Sequence, residues 1–388
     1  MEEKKAKNIL VISGVLDKSN VSCSIEIIKD LISLGHNVTC YALDQYEEML
    51  KKTGVKLKTI KIDKSDFKNL PPLLAEKIIY SLKISRFYEG IINDALKSEE
   101  KYDFLLVDSF FNGNELNKIF KSPTVISLYF VPIGEKSPFI ELTRPKRMES
   151  LIPINKKYNL NIRDFISLQF IADSKYKLMF TSKLFNFESN VLDDSFLFIG
   201  PCIEEYEPDE SFNFIKDENK KLIYISLVPI FDQNIDFYKL CVQAFGNSNE
   251  YQIVMNVGAK INIKELGELP DNFYVFNNVP INQILPKTDI VIIDAGIKSI
   301  NEVLCFNNNL PLILIKQDLN EFDYSKLIKK NEAGIVLNDK RLTPEKFRDA
   351  VNNYINDKSK YLKGVQNICQ SFKEARNQRK EILEKIFG

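Results

Sequence analysis

The chain has 388 residues, beyond the roughly 250–300 at which single cores stop growing, so two domains are expected. At 44% hydrophobic and 27% charged residues it reads as ordinary globular protein and not as a disordered chain. Lys+Arg and Asp+Glu both number 53, and a formal charge of zero argues against a broad nucleic-acid footprint, leaving only a local basic patch open.

The elements follow in chain order. Met1–Lys5 leads into a short apolar strand at Asn8–Ser13 with no signal-peptide pattern. No apolar run approaches the ~20 residues that span a bilayer, so no transmembrane segment and a cytoplasmic location are expected. Helical spacing of Ile25, Ile28, Leu31 and Ile32 predicts a helix over Ser22–Leu34, followed by a strand at Val38–Ala42. A short helix at Glu47–Thr53 closes at Gly54, and a third strand covers Leu57–Ile62. A long helix from about Leu73 to Leu96 precedes strands at Asp103–Asp108 and Thr124–Tyr129. Ile133–Asp173 reads as irregular to helical, and Lys177–Thr181 and Phe196–Ile199 close the first half as strands.

Glu204–Glu210 is acidic, polar and interrupted by Pro208, which marks a linker. A second alternation follows, with strands at Leu222–Leu227, Gln252–Val257, Phe273–Phe276, Asp289–Ile293, Leu310–Ile315 and Gly334–Leu337. Thr343 caps a helix that runs to Ile355, and a basic helix over about Tyr361–Ile386 ends the chain. Repeated strand–helix units on both sides of a linker imply two doubly wound parallel sheets, whose ligands bind at strand C-terminal ends. The expected organisation is a Rossmann-like domain over 1–202, a linker over 203–220, a second Rossmann-like domain over 221–360 and a helix over 361–388.

The single histidine, His36, sits in Leu34-Gly35-His36-Asn37-Val38, which reads as helix end, Gly cap and strand entry. A structural role is favoured over proton transfer, through the helix dipole and the last helical carbonyls. The six cysteines, Cys23, Cys40, Cys202, Cys241, Cys305 and Cys369, form no C-x-x-C pair, and buried reduced thiols are favoured over zinc or disulfides.

Particular stretches resemble the GT-B glycosyltransferases, of the macrolide- and UDP-glycosyltransferase type, over essentially the whole chain. They are Leu34–Val38, Phe198-Ile199-Gly200-Pro201, Leu269-Pro270-Asp271-Asn272-Phe273, Asn278-Val279-Pro280 with Gln283-Ile284-Leu285, and Asp289–Ile293. The resemblance implies an α/β GT-B fold of two Rossmann-like domains facing across a cleft, with the last helix packing back on the first domain. It implies sugar transfer from a nucleotide-sugar to a hydroxyl with inversion, by a loop histidine base that an aspartate orients. It also implies a histidine-glycine-glycine…asparagine-serine…glutamate motif that holds the donor pyrophosphate at a helix N-terminus.

The chain departs from that pattern at several chemical positions. Ser19-Asn20-Val21-Ser22-Cys23 matches the base loop, so Asn20 stands where the base is expected. A carboxamide takes up no proton, and loss of a positioned base removes roughly 10²–10⁴-fold in rate. The orienting carboxylate matches Asp108, which is retained; Asp108 or Asp17 as a substitute base is weighed against plain solvated aspartates. In the donor motif, Asp294 replaces the histidine, Ala295 the first glycine and Lys298 the asparagine, while Gly296, Ser299 and Glu302 remain. A carboxylate about 4 Å from a phosphate charge opposes it by about 4 kcal/mol at an effective dielectric of ~20. Ile281 replaces a nucleobase-side glutamine, and Asn320-Glu321 invert the aspartate-glutamine pair that grips sugar hydroxyls. The family's serine-leucine-glycine-threonine turn becomes Ser226-Leu227-Val228-Pro229, and Pro229 has no N–H to donate.

Three further groups have two readings each. Arg144-Pro145-Lys146-Arg147 is a solvated loop ahead of an anionic-ligand site. Phe110, Phe111, Tyr129, Phe130, Phe165 and Phe170 line an apolar acceptor pocket or belong to the core. The last helix, with Lys373, Arg376, Arg379, Lys380 and Lys385 among glutamates, is an interdomain clasp ahead of a membrane-surface helix. No cofactor is expected beyond a UDP- or dTDP-sugar as donor ligand. The expected function is a catalytically eroded, glycosyltransferase-like auxiliary partner, in a heteromer with an intact glycosyltransferase homologue. The alternative is an active inverting glycosyltransferase with a non-histidine base and a small-molecule, peptide or lipid acceptor in the cleft.

Overall fold

The computed structural model describes residues 5–13, 18–62, 72–108, 111–129, 151–162, 174–187, 192–203, 207–227, 235–316 and 324–388, with the backbone alone for 18–20, 72–81 and 129. These residues divide into two compact units, Met1–Glu204 with Glu374–Gly388, and Glu205–Lys373.

The first unit is built on a seven-stranded parallel sheet of β1 (Asn8–Ile12), β2 (Asn37–Leu43), β3 (Lys56–Ile60), β4 (Phe104–Asp108), β5 (Thr124–Tyr129), β6 (Tyr176–Met179) and β7 (Phe196–Phe198). Its order is β3-β2-β1-β4-β5-β6-β7. The second unit holds a six-stranded parallel sheet of β8 (Lys221–Ser226), β9 (Tyr251–Asn256), β10 (Phe273–Phe276), β11 (Ile290–Asp294), β12 (Leu312–Lys316) and β13 (Gly334–Asn338). Its order is β10-β9-β8-β11-β12-β13. Every strand expected from sequence is present within a few residues. Central strands of a parallel sheet are buried on both faces, so they read as unbroken apolar runs. Ile9–Ile12 and Ile290–Ile293 are accordingly almost fully buried. In each sheet the order reverses beside the first strand, between β1 and β4 and between β8 and β11. Those reversals are where α/β sheets open a crevice for a ligand.

Two expectations are corrected. The first helix begins at Lys18 and runs to Ser33, so Asn20 lies in its first turn and not in the loop before it. Ser19, Asn20 and Ser22 are polar residues of an N-terminal helical turn, which carries no apolar period. The thiols of Cys23 and Cys202 are joined as a disulfide, with Cα atoms 5.1 Å apart. The chain brings them together across a sequence separation of 179, which no local spacing announces. Cys40 and Cys241 are buried free thiols, and Cys305 and Cys369 are half-buried.

His36 has a structural place. Gly35, at φ +86°, ends the first helix in a left-handed conformation that a side chain disfavours. The imidazole Nδ1 accepts the Lys7 N–H at 3.3 Å, and the ring packs 5.9 Å from that of Phe387. The predicted acidic linker is in large part built into the second unit. Phe212 and Phe214 pack on Phe276 and Tyr274 of the outer strand β10, with ring centroids 5.2 and 5.1 Å apart. A layer over an edge strand covers its unpaired backbone.

The last helix, Lys358–Phe387, contributes to both cores. Val365 and Ile368 are fully buried in the second unit; Leu383 and Phe387 are fully buried in the first. In the first unit, Arg379 Nη1 lies 2.5 Å from Glu26 Oε2, and its Nε 2.7 Å from Asp30 Oδ2. Glu26 Oε1 also accepts the Ile203 N–H at 2.7 Å, and Arg376 donates to the Pro201 carbonyl at 3.1 Å. One glutamate on the first helix therefore holds both the terminal helix and the segment 201–203. None of the described helices is long and apolar enough to cross a membrane.

Removing one member of a buried ion cluster strands its partners' charge. Arg379→Ala is expected to cost about 3 kcal/mol in urea unfolding, with Arg379→Lys retaining part of it. A second prediction concerns acid. Tyr41 donates to Asp94 Oδ2 at 2.5 Å and Lys58 Nζ lies 2.9 Å from the same oxygen, and in that order they hold the carboxyl below its ordinary 3.8. Tyr102, then Lys56, hold Glu100 below its ordinary 4.5. Both carboxylates supply stability that is complete above those ordinary values and drains as pH falls toward the lowered folded values. Asp94 is half exposed, so Tyr41→Phe is expected to cost about 1 kcal/mol at neutral pH and to flatten the acid limb of a melting-temperature profile. An acid limb as steep as that of the unaltered chain would refute this assignment.

Candidate active and donor sites

The strand order brings the sequence-predicted residues to the two reversal points, one set in each unit. In the first unit, β1 ends beside β4, with Ile12 opposite Val107. Asp108 is the last residue of β4 and is 1% exposed. Its carbonyl accepts the Phe111 N–H at 2.8 Å, which turns the chain sharply after the strand. Just beyond, Asn112 caps the helix Gly113–Phe120 through the Glu115 N–H at 3.0 Å, and its own N–H donates to the Tyr88 hydroxyl at 2.8 Å. Burial pushes the Tyr88 phenol up, with the Asp108 charge adding to the effect. Asn20 lies in the first turn of the helix that follows β1. Phe111 is buried against Phe87 and Tyr88, at ring separations of 5.5 and 5.1 Å, so of the aromatic group it belongs to the core.

A pair that sequence reading missed ties these elements together. The hydroxyls of Ser13, after β1, and Ser24, on the first helix, lie 2.5 Å apart and are both buried. Their spacing fits no motif, and only the packing of helix on sheet makes them partners.

In the second unit, Ile293 of β11 lies opposite Ser226 of β8, and Ser226 opposite Asn256 of β9. Asn256 Nδ2 donates to Ser226 Oγ at 3.4 Å. Tyr238, also unforeseen, fastens the turn after β8. Its hydroxyl accepts the Leu227 N–H at 3.4 Å and lies 3.0 Å from the Leu227 carbonyl and 3.1 Å from that of Asn256. Burial pushes the Tyr224 phenol up to about 12, while Ser226 and Asn256 pull it down and the Glu302 charge raises it further. Tyr224, Ser226 and Asn256 thus neighbour one another at the ends of β8 and β9.

The helix Ile297–Phe306 starts directly after β11, with Gly296 as its N-cap. A helix N-terminus presents unpaired N–H groups and a positive dipole end, and so attracts an anion. Here the chain supplies one itself. Asp294 is 3% exposed; its Oδ2 accepts the Gly296 N–H at 2.9 Å and its Oδ1 accepts the Ser299 hydroxyl at 2.6 Å. The carboxylate lies so close over Gly296 that a Cβ there would meet Oδ2 at 2.4 Å. Of the retained motif residues, Gly296 and Ser299 are therefore engaged by the residue that replaces the histidine.

Lys298 Nζ lies 3.9 Å from Glu302 Oε1, one turn along the helix. Lys298 is half exposed and Glu302 is largely buried. Ile281, at the start of the short helix Ile281–Ile284, is 9% exposed and packs inward. Asp17, Pro229, Asn320, Glu321, the Arg144–Arg147 cluster, Phe110, Phe130, Phe165 and Phe170 lie outside the described residues, as do the side chains of Asn20 and Tyr129.

Comparison with known proteins agrees with this arrangement. Residues 229–383 match the glycosyltransferase family 28 C-terminal domain. The chain is 25% identical over 397 residues to the uncharacterized UDP-glucosyltransferase YdhE of Bacillus subtilis (strain 168), covering 98% of both chains. It is 22% identical over 369 residues to the demethyllactenocin mycarosyltransferase of Streptomyces fradiae, covering 87% of this chain and 77% of that one. In three dimensions it is similar to CalG4, the calicheamicin glycosyltransferase, at a TM-score of 0.77 and 19% identity over 98% of both chains. It is likewise similar to the glycosyltransferase of kitacinnamycin, at a TM-score of 0.78 and 18% identity over 98% of this chain and 99% of that one. With two doubly wound parallel sheets and this end-to-end likeness, the chain has the GT-B fold and is similar over its whole length to macrolide- and UDP-glycosyltransferases.

Proposed function

We propose that this chain is a catalytically eroded member of its family that acts as the auxiliary partner and activator of an intact glycosyltransferase homologue, with which it forms a heteromer. The observation that carries the reading is the Asp294 carboxylate, bonded to Gly296 N–H and Ser299 Oγ where a donor pyrophosphate would bind. A diphosphate entering there must displace those hydrogen bonds and meet a buried negative charge, and both effects oppose binding. Asn20 at the base position and Ile281, packed inward at the nucleobase position, weaken the two remaining functions of the site. The scaffold is meanwhile intact in both units, which is what an auxiliary subunit requires.

A second reading rests on Asp108, a buried carboxylate at the first unit's reversal point, together with the retained Glu302. In that reading the chain is an active inverting glycosyltransferase. Asp108 or Asp17 removes the acceptor proton, and a UDP- or dTDP-sugar is the donor.

The two readings separate on partner dependence. Co-expression with a homologue that carries the loop histidine and the histidine-glycine-glycine motif is expected to give a heteromer by native mass spectrometry. The partner's turnover should rise at least about tenfold, a barrier change of about 1.4 kcal/mol. Two separate monomers and an unchanged rate would remove the auxiliary reading. A second prediction isolates the donor site. Asp294→Asn keeps the shape and removes the charge, and Asp294→His restores the family residue. Both are expected to bind UDP at least about tenfold more tightly than the unaltered chain in titration calorimetry. Equal affinity in all three would show that Asp294 does not guard the site.

A further inference from the structure

We propose that Cys23 and Cys202 form a reversible thiol–disulfide site that locks and releases the segment by which the chain leaves its first unit. Cys202 stands two residues before Glu204, where the first stretch of that unit ends. Cys23 lies on the first helix, three residues after Asn20, so the lock sits one turn from the position of the family's base. The bond closes a loop across a sequence separation of 179, and a cross-link over so long a loop restrains the chain strongly.

The surroundings of the bond give the lock its effect. Without it, segment 201–203 keeps two polar attachments, Arg376 to the Pro201 carbonyl and the Ile203 N–H to Glu26. Both depend on the terminal helix or on the glutamate it holds. With the bond, the segment is fixed covalently to the first helix whatever the terminal helix does. Burial is uneven: Cys23 is 4% exposed, whereas Cys202 is half-buried and is the side on which a reductant would approach. A cystine set at a chain crossing, in a fold with no other disulfide among the described residues, fits the labile kind better than a framework staple.

The exchange balances with a dithiol reductant. A reductant thiolate attacks Cys202 Sγ, the Cys23–Cys202 bond breaks, and Cys23 leaves as a thiolate that takes a proton. The reductant's second thiol then displaces Cys202, releasing a cyclic disulfide and leaving two protein thiols. Re-oxidation by a low-molecular-weight disulfide returns two electrons and two protons to two small thiols.

The test uses the full chain and does not depend on nucleotide binding or a partner. Of the six cysteines, four carry thiols outside this disulfide. Alkylation in denaturant after treatment with oxidised glutathione should therefore modify Cys40, Cys241, Cys305 and Cys369 alone, and all six after dithiothreitol. A non-reducing peptide map should contain one species that joins Cys23 to Cys202. Native digestion after Glu204 and Glu205 by a glutamate-specific protease should accelerate at least about threefold on reduction. It should be fast in Cys202→Ser with or without reductant. Six modified cysteines after oxidised glutathione would overturn the site. A digestion rate that ignores the redox state would overturn the lock, even with the bond present.

Discussion

The first turn of the helix Ile297–Phe306 already holds an anion. A helix N-terminus that follows a central parallel strand attracts negative charge, and in this fold the strand order delivers it to the crevice at the sheet's reversal point. Asp294, the last residue of β11, bends back onto that turn and satisfies both Gly296 N–H and Ser299 Oγ. The carboxylate is buried, and a buried charge is tolerated only where hydrogen bonds such as these replace water. The same contact occupies this turn from within the chain, since both Gly296 N–H and Ser299 Oγ have an internal partner.

A second constraint organises the first unit. Glu26 accepts the backbone of Ile203 and pairs with Arg379, while Arg376 holds the Pro201 carbonyl. The first helix therefore receives the segment that leaves the unit and the helix that returns to it at one acidic residue, with Cys23 a turn earlier. His36 belongs to this architecture and not to the chemistry. It takes the Lys7 N–H and packs on Phe387, so the one imidazole of the chain joins the first helix's end to the last helix.

The architecture was largely legible in the sequence, for a physical reason. Strands buried on both faces must be apolar throughout, so Asn8–Ile12 and Ile290–Asp294 announce themselves without any alignment. The start of the first helix was less legible. Its first turn, Lys18 to Asn20, is polar in sequence, and apolar spacing begins only at Val21. The candidate site was legible as a set of substitutions but not as a geometry. That Asp294 replaces a histidine can be read directly, whereas its bond to Ser299 depends on how strand and helix meet. The Cys23–Cys202 bond, the Ser13–Ser24 hydroxyl pair and the fastening of Leu227 by Tyr238 are products of tertiary packing. No spacing rule would have found them.

The central claim is that the donor site is closed and the base is gone, and the most direct measurement is nucleotide release. The purified chain, alone, is incubated with UDP-glucose and with a dTDP-sugar alongside a hydroxyl acceptor panel, and free nucleotide is followed over hours. The account predicts release indistinguishable from the protein-free control with every donor. Sustained release near about 1 s⁻¹, within the ordinary range for enzymes, would contradict it.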